Sequence, residues 1–208
     1  MTGIRVLVNR LTKPVTPLPA GIYHFQAPPT AHHPYRIHLR LEPDGNGLLI
    51  VNAATILHLN QTAAEYAYHI VKNSSVDMVA YHISTRYRIS KARAAQDFLE
   101  LKERIQTIID TPDLDPEMFL DFDRLAPASC AISAPYRLDL ALTYRLPEGA
   151  EPAFAPVNRV ERELTTIEWL QILDKVWAAG VPHVVFTGGE PTLLDDLPVI
   201  LSHAEELG

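Results

Sequence analysis

A strand–helix–strand pattern in the last third of the chain constrains the fold more than any other feature of the sequence. Apolar and polar residues alternate in YRLDLALTY (Tyr136–Tyr144), which is typical of a strand. In TTIEWLQILDKVWAAG, Thr165 and Glu168 have the spacing of a capping box, and Gly180 suits a left-handed helix stop. The apolar run Val184–Phe186 then predicts a second, buried strand. This order predicts parallel pairing of the two strands with a right-handed crossover.

The second strand ends in a glycine turn, HVVFTGGEPTLL, ahead of a last helix predicted from about Leu194 to Leu207. Ligands of parallel α/β structures collect at the C-terminal ends of the strands. Paired glycines let a ligand approach the backbone, and a neighbouring carboxylate can receive an ammonium group. The turn therefore indicates a cofactor-binding site made of Thr187, Gly188, Gly189, Glu190 and Pro191. An ordinary strand-to-helix turn with a solvated glutamate is the alternative.

This turn carries a family resemblance. HVVFTGGEPTLL resembles the second strand of radical S-adenosylmethionine (radical SAM) enzymes, in which a GGEP motif contacts the methionine amino group of the cofactor. Tyr136–Tyr144 resembles the first strand of those enzymes, and the helix with Glu168 and Trp177 resembles the element between the two strands. The resemblance implies a partial α/β unit of a (β/α)n barrel and a family function in radical chemistry.

One part of the family pattern is missing. Radical SAM enzymes follow the first strand with C-x3-C-x2-C-aromatic, three thiolates that hold a 4Fe–4S cluster. With Phe154 as the aromatic residue, the cysteine positions are Leu146, Ala150 and Ala153, none of which can ligate iron. The single cysteine of the chain, Cys130, cannot replace three. We therefore expect no cluster, no functional cofactor, at most weak S-adenosylmethionine binding and no enzymatic activity of this chain as it stands.

The first 110 residues have the pattern of an α+β domain. YRIHLRL (Tyr35–Leu41) alternates as a half-buried strand does, and Leu48–Val51 and Thr55–Leu59 follow as two more short strands. Three amphipathic helices come next, with predicted caps at Asn60, Ser74 and Ser90. This order predicts a three-stranded sheet with three helices on one face, an arrangement that resembles a winged helix.

This domain resembles the PqqD-like fold, the recognition element of peptide-modifying systems, most clearly in LHLNQTAAEYAYHI. Members of that family bind a precursor peptide as an added strand beside a helix, which is β-augmentation. Carried over, the resemblance implies a peptide-binding edge and a neighbouring helical face. The edge is Thr55, Ile56, Leu57, His58 and Leu59, and the face is Arg93, Gln96, Asp97 and Glu100. A merely solvated helix face is the alternative for these charged residues.

Composition limits the partners. A net charge of −7 argues against general nucleic-acid binding, although RYRISKAR (Arg86–Arg93) is locally basic and leaves a winged-helix DNA-binding module as an alternative. We expect a cytoplasmic protein, because the sequence shows neither a membrane-spanning run nor a secretory signal. His32 and His33 are adjacent and lack a further histidine at helical i,i+4 spacing, so we do not predict a metal site there. Cys130 has no basic neighbour in the sequence that would activate its thiol, so we expect it to be unreactive.

The sequence thus predicts a peptide-binding domain (1–110), an acidic linker with prolines (111–134) and an incomplete radical SAM-like segment (135–208). The predicted function is recognition of a precursor or leader peptide for a radical SAM-associated system. The partners that this prediction implies are a separate modifying enzyme, or a second copy of the chain that associates through the open sheet. The enzyme alternative is the front portion of a longer radical SAM iron–sulfur protein.

Overall fold

The computed structural model describes residues 15–28, 30, 34–52, 55–111, 114, 133–150 and 162–208. Its first part is a four-stranded antiparallel sheet in the order β1-β2-β3-β4, with three helices after it. The strands are β1 (Gly21–Gln26), β2 (Arg36–Leu41), β3 (Gly47–Val51) and β4 (Thr55–Leu59). The helices are α1 (Gln61–Val71), α2 (Val76–Tyr87) and α3 (Lys91–Asp110). The chain is mixed α+β, as predicted.

The predicted three-stranded sheet is wrong, because a strand precedes the first predicted one. β1 has the sequence GIYHFQ and pairs with β2 from Gly21, opposite Leu41, to Gln26, opposite Arg36. This strand is short, and Pro19 precedes it closely while Pro28 follows it. Such proline punctuation is typical of loops, and it conceals a strand that long-range pairing with β2 stabilises.

Two of the three predicted helix caps are confirmed. Asn60 caps α1 and Ser90 caps α3, each through its side-chain oxygen. The third prediction is wrong by one residue, because Ser75 and not Ser74 caps α2. The Ser74 hydroxyl instead lies 3.1 Å from His69 Nδ1, so a local side-chain bond competes with capping.

The helices α1 and α3 cover the inner face of the sheet, and α2 packs against these two helices. One core cluster joins inward residues of all four strands to α1 and to the second half of α3, with Leu39, Leu57 and Ile105 among its buried members. A second cluster joins α1, α2 and the first half of α3 around Tyr66 and Phe98. The long helix α3 therefore has two roles, since its first half packs on helices and its second half on the sheet.

The last third of the chain is a parallel βαβ unit, as its sequence pattern predicts. Its elements are β5 (Arg137–Thr143), α4 (Thr166–Ala178), β6 (His183–Gly188), a short 3-10 turn (Pro191–Leu193) and α5 (Leu197–Leu207). The capping box of Thr165 and Glu168 is confirmed, and Gly180 has a φ of +79°. The described sheet here has two strands, so a barrel unit stays a prediction.

The outer face of the four-stranded sheet packs against this βαβ unit. Arg40 on β2 and its partner Leu48 on β3 lie on that face, and both are buried. The Arg40 guanidinium donates to the carbonyl oxygens of Ala134 (2.9 Å) and Gly180 (3.1 Å). Alternation along β2 suggests a solvated polar face, but that face is an interior contact. No helix in the described ranges has the length and apolar character that a membrane span needs.

Candidate functional site

The glycine turn lies where β5 and β6 end together. Gly188 pairs with Thr143 across the sheet, and the Gly189 N–H donates to the Thr143 carbonyl oxygen over 2.7 Å. A Cβ on Gly188, whose φ is +120°, would lie 2.1 Å from that same oxygen. A Cβ on Gly189 would lie 2.1 Å from the Arg145 carbonyl oxygen. Close approach of the turn to β5 thus requires both glycines, with or without a ligand.

Glu190 organises the residues after the glycines. Its Oε1 accepts hydrogen bonds from the backbone N–H of Thr192 (3.0 Å) and from the Thr192 hydroxyl (2.6 Å). These two bonds, the hydroxyl first, lower the pKa of the Glu190 carboxyl. The side chain therefore stays negatively charged at neutral pH and caps the 3-10 turn that Pro191 begins. Thr187 is exposed beside it.

A polar cluster that the sequence interpretation missed lies at the same end of β5. The Thr143 hydroxyl donates to Glu163 Oε1, and Arg145 Nε lies 3.3 Å from the same oxygen. Thr143 is only 1% exposed, so its hydroxyl depends on this carboxylate. The available signal in the sequence was a polar residue, Thr143, at the end of an apolar strand, with Arg145 two residues later. We call Thr143, Arg145, Glu163 and the turn residues 187–192 the strand-end cluster.

The positions in register with the family cysteines do not suit an iron–sulfur cluster. Leu146 is half-buried, Ala150 is exposed, and Ala153 lies outside the described residues. None of these side chains has an atom that can bind iron. In the described part of the chain, no group of three or more His, Cys, Asp or Glu side chains could hold a metal ion. Cys130, His32 and His33 also lie outside the described residues.

The predicted peptide-binding edge, β4, forms one border of the described four-stranded sheet. Its only strand partner among the described residues is β3. Leu57 and Leu59 point into the core, while Ile56 is 38% exposed and Thr55 is half-buried. His58 lies on the outer face, with its Nε2 3.3 Å from the Tyr136 hydroxyl. One border of the sheet therefore combines a strand edge with an exposed apolar side chain.

The predicted helical face lies in the first half of α3. Arg93 pairs with Asp97 over 2.8 Å, Glu100 pairs with Arg104 over 2.7 Å, and Gln96 is exposed. These pairs follow the helix surface, and their members bond to each other. The core cluster that contains Leu57 and Leu59 of β4 includes Ile105, Ile108 and Ile109, from the second half of α3. A helix has 3.6 residues per turn, so the predicted face lies between about one and three turns before Ile105.

Most of the basic stretch 86–93 has acidic or aromatic partners. Arg86 Nε and Nη2 donate to both oxygens of buried Glu65, at 2.8 and 2.7 Å. This bidentate pair raises the pKa of Arg86 further above its usual value. The Lys91 ammonium lies 5.3 Å from the centre of the Tyr81 ring, and Arg93 has its partner on the next helical turn. These contacts stabilise the helices without requiring a nucleic acid.

A cavity of about 530 Å³ lies where the sheet meets the βαβ unit. Arg36 and His38 line it from β2, and Pro182, Glu205 and Gly208 line it from the other side. His38 Nε2 donates to the Gly208 carbonyl oxygen over 2.7 Å, and burial lowers the pKa of His38. The neutral His38 ring thus belongs to the contact between the four-stranded sheet and the βαβ unit.

No family model matches the chain, and neither does any solved structure. Among curated proteins, it is 37% identical over 83 residues to a PqqA peptide cyclase of Streptomyces rochei, covering 39% of this chain and 23% of that protein. It is 38% identical over 76 residues to PqqA peptide cyclases of Bradyrhizobium diazoefficiens and Rhodopseudomonas palustris, covering 36% of this chain and 20% of each relative. The matches thus span about a fifth of each relative, and the chain shares a segment with enzymes named for peptide modification.

Proposed function

We propose that this chain recognises a precursor or leader peptide for a peptide-modifying system. The observation that carries the proposal is the border position of β4 among the described strands, with Ile56 exposed on it, in a chain whose relatives are named for acting on a peptide. An added strand pairs its backbone with such an edge, and a side chain such as Ile56 supplies selectivity. A flexible peptide must be ordered on binding, so we expect affinity of about micromolar strength.

The strand-end cluster has a smaller role in this proposal. Glu190 supports weak binding of S-adenosylmethionine, because Oε2 of its carboxylate can still accept from an ammonium group. The residues in cluster register do not fit an iron–sulfur centre, so no redox step is assigned to this chain. Catalysis would belong to a separate modifying enzyme that receives the peptide, or to an assembly formed through the open β5–β6 sheet.

Titration of the full chain with the PqqA peptide of Streptomyces rochei tests the proposal. We expect saturable shifts of backbone amide signals concentrated in residues 55–59 and weakening of about tenfold, or 1.4 kcal/mol, on Ile56→Lys. Val199→Lys is the matched control, because Val199 is an exposed apolar residue of α5, 51% accessible, away from β4. Shifts confined to other surfaces, or equal weakening by both variants, would contradict recognition at β4.

The second candidate function is the front portion of a longer radical SAM peptide cyclase. The observation in its favour is the match to a PqqA peptide cyclase, which is 37% identical to this chain over 83 residues. That match covers only 23% of the cyclase, as a front portion of such a protein would. Mass spectrometry of the native polypeptide in the source cells tests this candidate. A polypeptide with further barrel units and cluster cysteines would support it, and a mass equal to that of these 208 residues would exclude it.

A further inference from the structure

The cavity between the four-stranded sheet and the βαβ unit has polar groups on both of its walls. Its volume of about 530 Å³ is typical of small-ligand sites, which often lie between two parts of a protein. On the sheet wall, Gln26 of β1 pairs with Arg36 of β2, and the Arg36 backbone N–H donates to Asn52 Oδ1, just after β3, over 2.9 Å. On the other wall, Glu205 and Gly208 lie at the end of α5. Elements from both parts of the chain therefore build this cavity.

Two opposite charges meet across the cavity without a hydrogen bond between them. The distance from Arg36 Nη2 to Glu205 Oε1 is 3.8 Å, which is too long for a hydrogen bond. The Arg36 and Glu205 side chains are 36% and 77% exposed, so water screens their attraction. The guanidinium therefore keeps N–H donors, and the carboxylate keeps lone pairs, for a bound molecule. Gly208 adds an acceptor on the same wall as Glu205, because its carbonyl oxygen has a second lone pair besides the one that His38 uses.

These two charges select the chemical class of the ligand. A simple anion at Arg36 would be repelled by Glu205, and a simple cation at Glu205 would be repelled by Arg36. A molecule that carries both charges can satisfy both side chains. In an α-amino acid, standard bond lengths place the ammonium nitrogen about 3 Å from a carboxylate oxygen, close to the 3.8 Å between the two protein atoms. Such a molecule fits beside the Arg36–Glu205 pair with its charges in the opposite order.

The cavity also has an apolar part, which is formed by Ala27, Pro34, Tyr35 and Pro182. An apolar side chain of the ligand would leave water on contact with these residues, which favours binding. We infer that this cavity binds a free α-amino acid with an apolar side chain, whose carboxylate binds Arg36 and whose ammonium group binds Glu205. This site goes beyond the proposed peptide recognition at β4 and does not depend on it.

The amino-acid site lies apart from the glycine turn and joins the two parts of the chain. Pro182 directly precedes β6, whereas Gly188 is its last residue, so the two sites lie at opposite ends of that strand. The bound amino acid contacts Arg36 of the sheet and Glu205 of α5 together. Because it binds the folded chain, it should raise the unfolding temperature as its concentration rises.

Titration of the full chain with L-leucine tests the inference. We expect saturable shifts of the backbone amide signals of residues 26, 27, 36, 52 and 205, with a dissociation constant of about 1 mM, because water partly screens both charges. N-acetyl-L-leucine keeps only the negative charge, and L-leucine amide keeps only the positive charge. Each analogue should bind at least about tenfold more weakly than leucine, because one protein charge loses its partner and repels the analogue.

Neutral variants should change which analogue is preferred. Glu205→Gln should weaken leucine binding about tenfold and strengthen N-acetyl-leucine binding, because the repulsion of the anion is gone. Arg36→Gln should weaken leucine binding to the same extent and strengthen binding of leucine amide. Arg104→Gln is the matched control, because Arg104 is 38% exposed, pairs with Glu100 on α3 and does not line the cavity. It should leave all three affinities unchanged.

Three results would overturn the inference. The absence of saturable shifts up to the solubility limit of leucine would show that the cavity is not an amino-acid site. Equal binding of leucine, N-acetyl-leucine and leucine amide by the parent chain would show that the Arg36–Glu205 pair does not select the ligand. Leucine-induced shifts confined to residues 55–59 would place leucine on β4 instead of in the cavity.

Discussion

Arg40 donates a hydrogen bond from Nε to Glu42 Oε1 over 2.9 Å, and the two side chains are only 5% and 10% exposed. Arg40 also donates to two backbone carbonyls, and Glu42 accepts from Ser133. A buried ion pair costs desolvation unless further hydrogen bonds satisfy its remaining atoms. Here those bonds come from the βαβ unit and the residues just before it. The buried pair and the contact between the four-stranded sheet and the βαβ unit therefore depend on each other.

Loss of Arg40 should destabilise this contact. Arg40→Met leaves the buried Glu42 carboxylate without its cation, and we expect the free energy of unfolding to fall by about 3–5 kcal/mol in urea titrations. Arg137→Met is the matched control, because Arg137 pairs with Asp139 on the surface. Water and salt screen that exposed pair, so its loss should change stability little. Equal effects of the two variants would contradict a stabilising role of the buried pair.

The buried pair also shows where sequence interpretation fails. Periodicity predicts β2, β3, β4, the parallel unit and most helix caps, because local patterns and hydrophobic alternation determine them. Arg36, His38 and Arg40 alternate with apolar residues and suggest a solvated face. Only contact with residues more than ninety positions away buries Arg40, and no local pattern encodes that contact.

Alanine at either glycine of the turn should destabilise the βαβ unit. A Cβ on Gly188 would lie 2.1 Å from the Thr143 carbonyl oxygen, and a Cβ on Gly189 would lie 2.1 Å from that of Arg145, just after β5. We therefore expect losses above about 3 kcal/mol in thermal or urea unfolding. Gly149→Ala is the control, because Gly149 has a φ of +80° with nothing within 4 Å of the added Cβ. Backbone strain alone should cost it about 1 kcal/mol. Similar losses at all three positions would contradict the close-approach explanation.

The candidate site could be predicted only in part for a related reason. HVVFTGGEPTLL identifies the turn, because glycines and a strand end are local signals. The contribution of Glu163 depends on where its chain segment returns to Thr143, twenty residues earlier. On α3, the charged residues at 93–100 are visible in the sequence. The packing of β4 against the other half of that helix requires the folded sheet.

Buried Tyr66 and half-buried Tyr87 should respond differently to loss of their hydroxyls. Tyr66 has no hydrogen-bond partner for its hydroxyl among the described residues, whereas the Tyr87 hydroxyl donates to buried Glu65 over 2.8 Å. We expect Tyr66→Phe to leave the free energy of unfolding unchanged or slightly higher, and Tyr87→Phe to lower it by about 1–2 kcal/mol. Chemical denaturation checks both values, and an equal loss in the two variants would contradict the assignment.

The same two tyrosines predict how the stability of the chain changes at alkaline pH. Burial raises the pKa of both Tyr66 and Tyr87 to about 12 from an ordinary value of 10.0. Between these values the folded chain keeps protons that the unfolded chain has lost, so stability falls as pH rises from 10 towards 12. Unfolding measured across that range should show a shallower decline in Tyr66→Phe than in the parent protein. An unchanged slope would contradict the raised pKa of Tyr66.

An acid-side prediction concerns the capping box. Bidentate bonds from Arg162, then bonds from the backbone and hydroxyl of Thr165, lower the pKa of Glu168 to about 2. The stabilisation that ionised Glu168 contributes is complete above its ordinary pKa of 4.5. It is lost as pH falls towards 2, because the carboxyl takes up a proton at a higher pH in the unfolded chain than in the folded chain. Carboxyl NMR titration should show this low pKa, and Arg162→Met should move it towards 4.5. An unshifted titration in the parent protein would disprove the arrangement.

The last prediction concerns the iron–sulfur centre. Anaerobic reconstitution with iron and sulfide should give no stoichiometric 4Fe–4S absorption or iron content in this chain. Such a cluster needs thiolates at fixed spacing, and the matching positions are Leu146, Ala150 and Ala153. The one thiol, Cys130, lies sixteen residues before the first of them. S-adenosylmethionine held at Glu190 by its ammonium group would then have no electron source for its sulfonium, so it should remain uncleaved.

The triple variant Leu146→Cys, Ala150→Cys, Ala153→Cys is the control for this prediction. It supplies the three thiolates in the family spacing, so its iron and sulfide content should rise above that of the parent chain under the same treatment. A Cys130→Ser variant should match the parent, because one thiol holds no cluster. A stoichiometric cluster in the parent, or deoxyadenosine formed from S-adenosylmethionine by the parent, would overturn the degenerate-site interpretation and favour the enzyme.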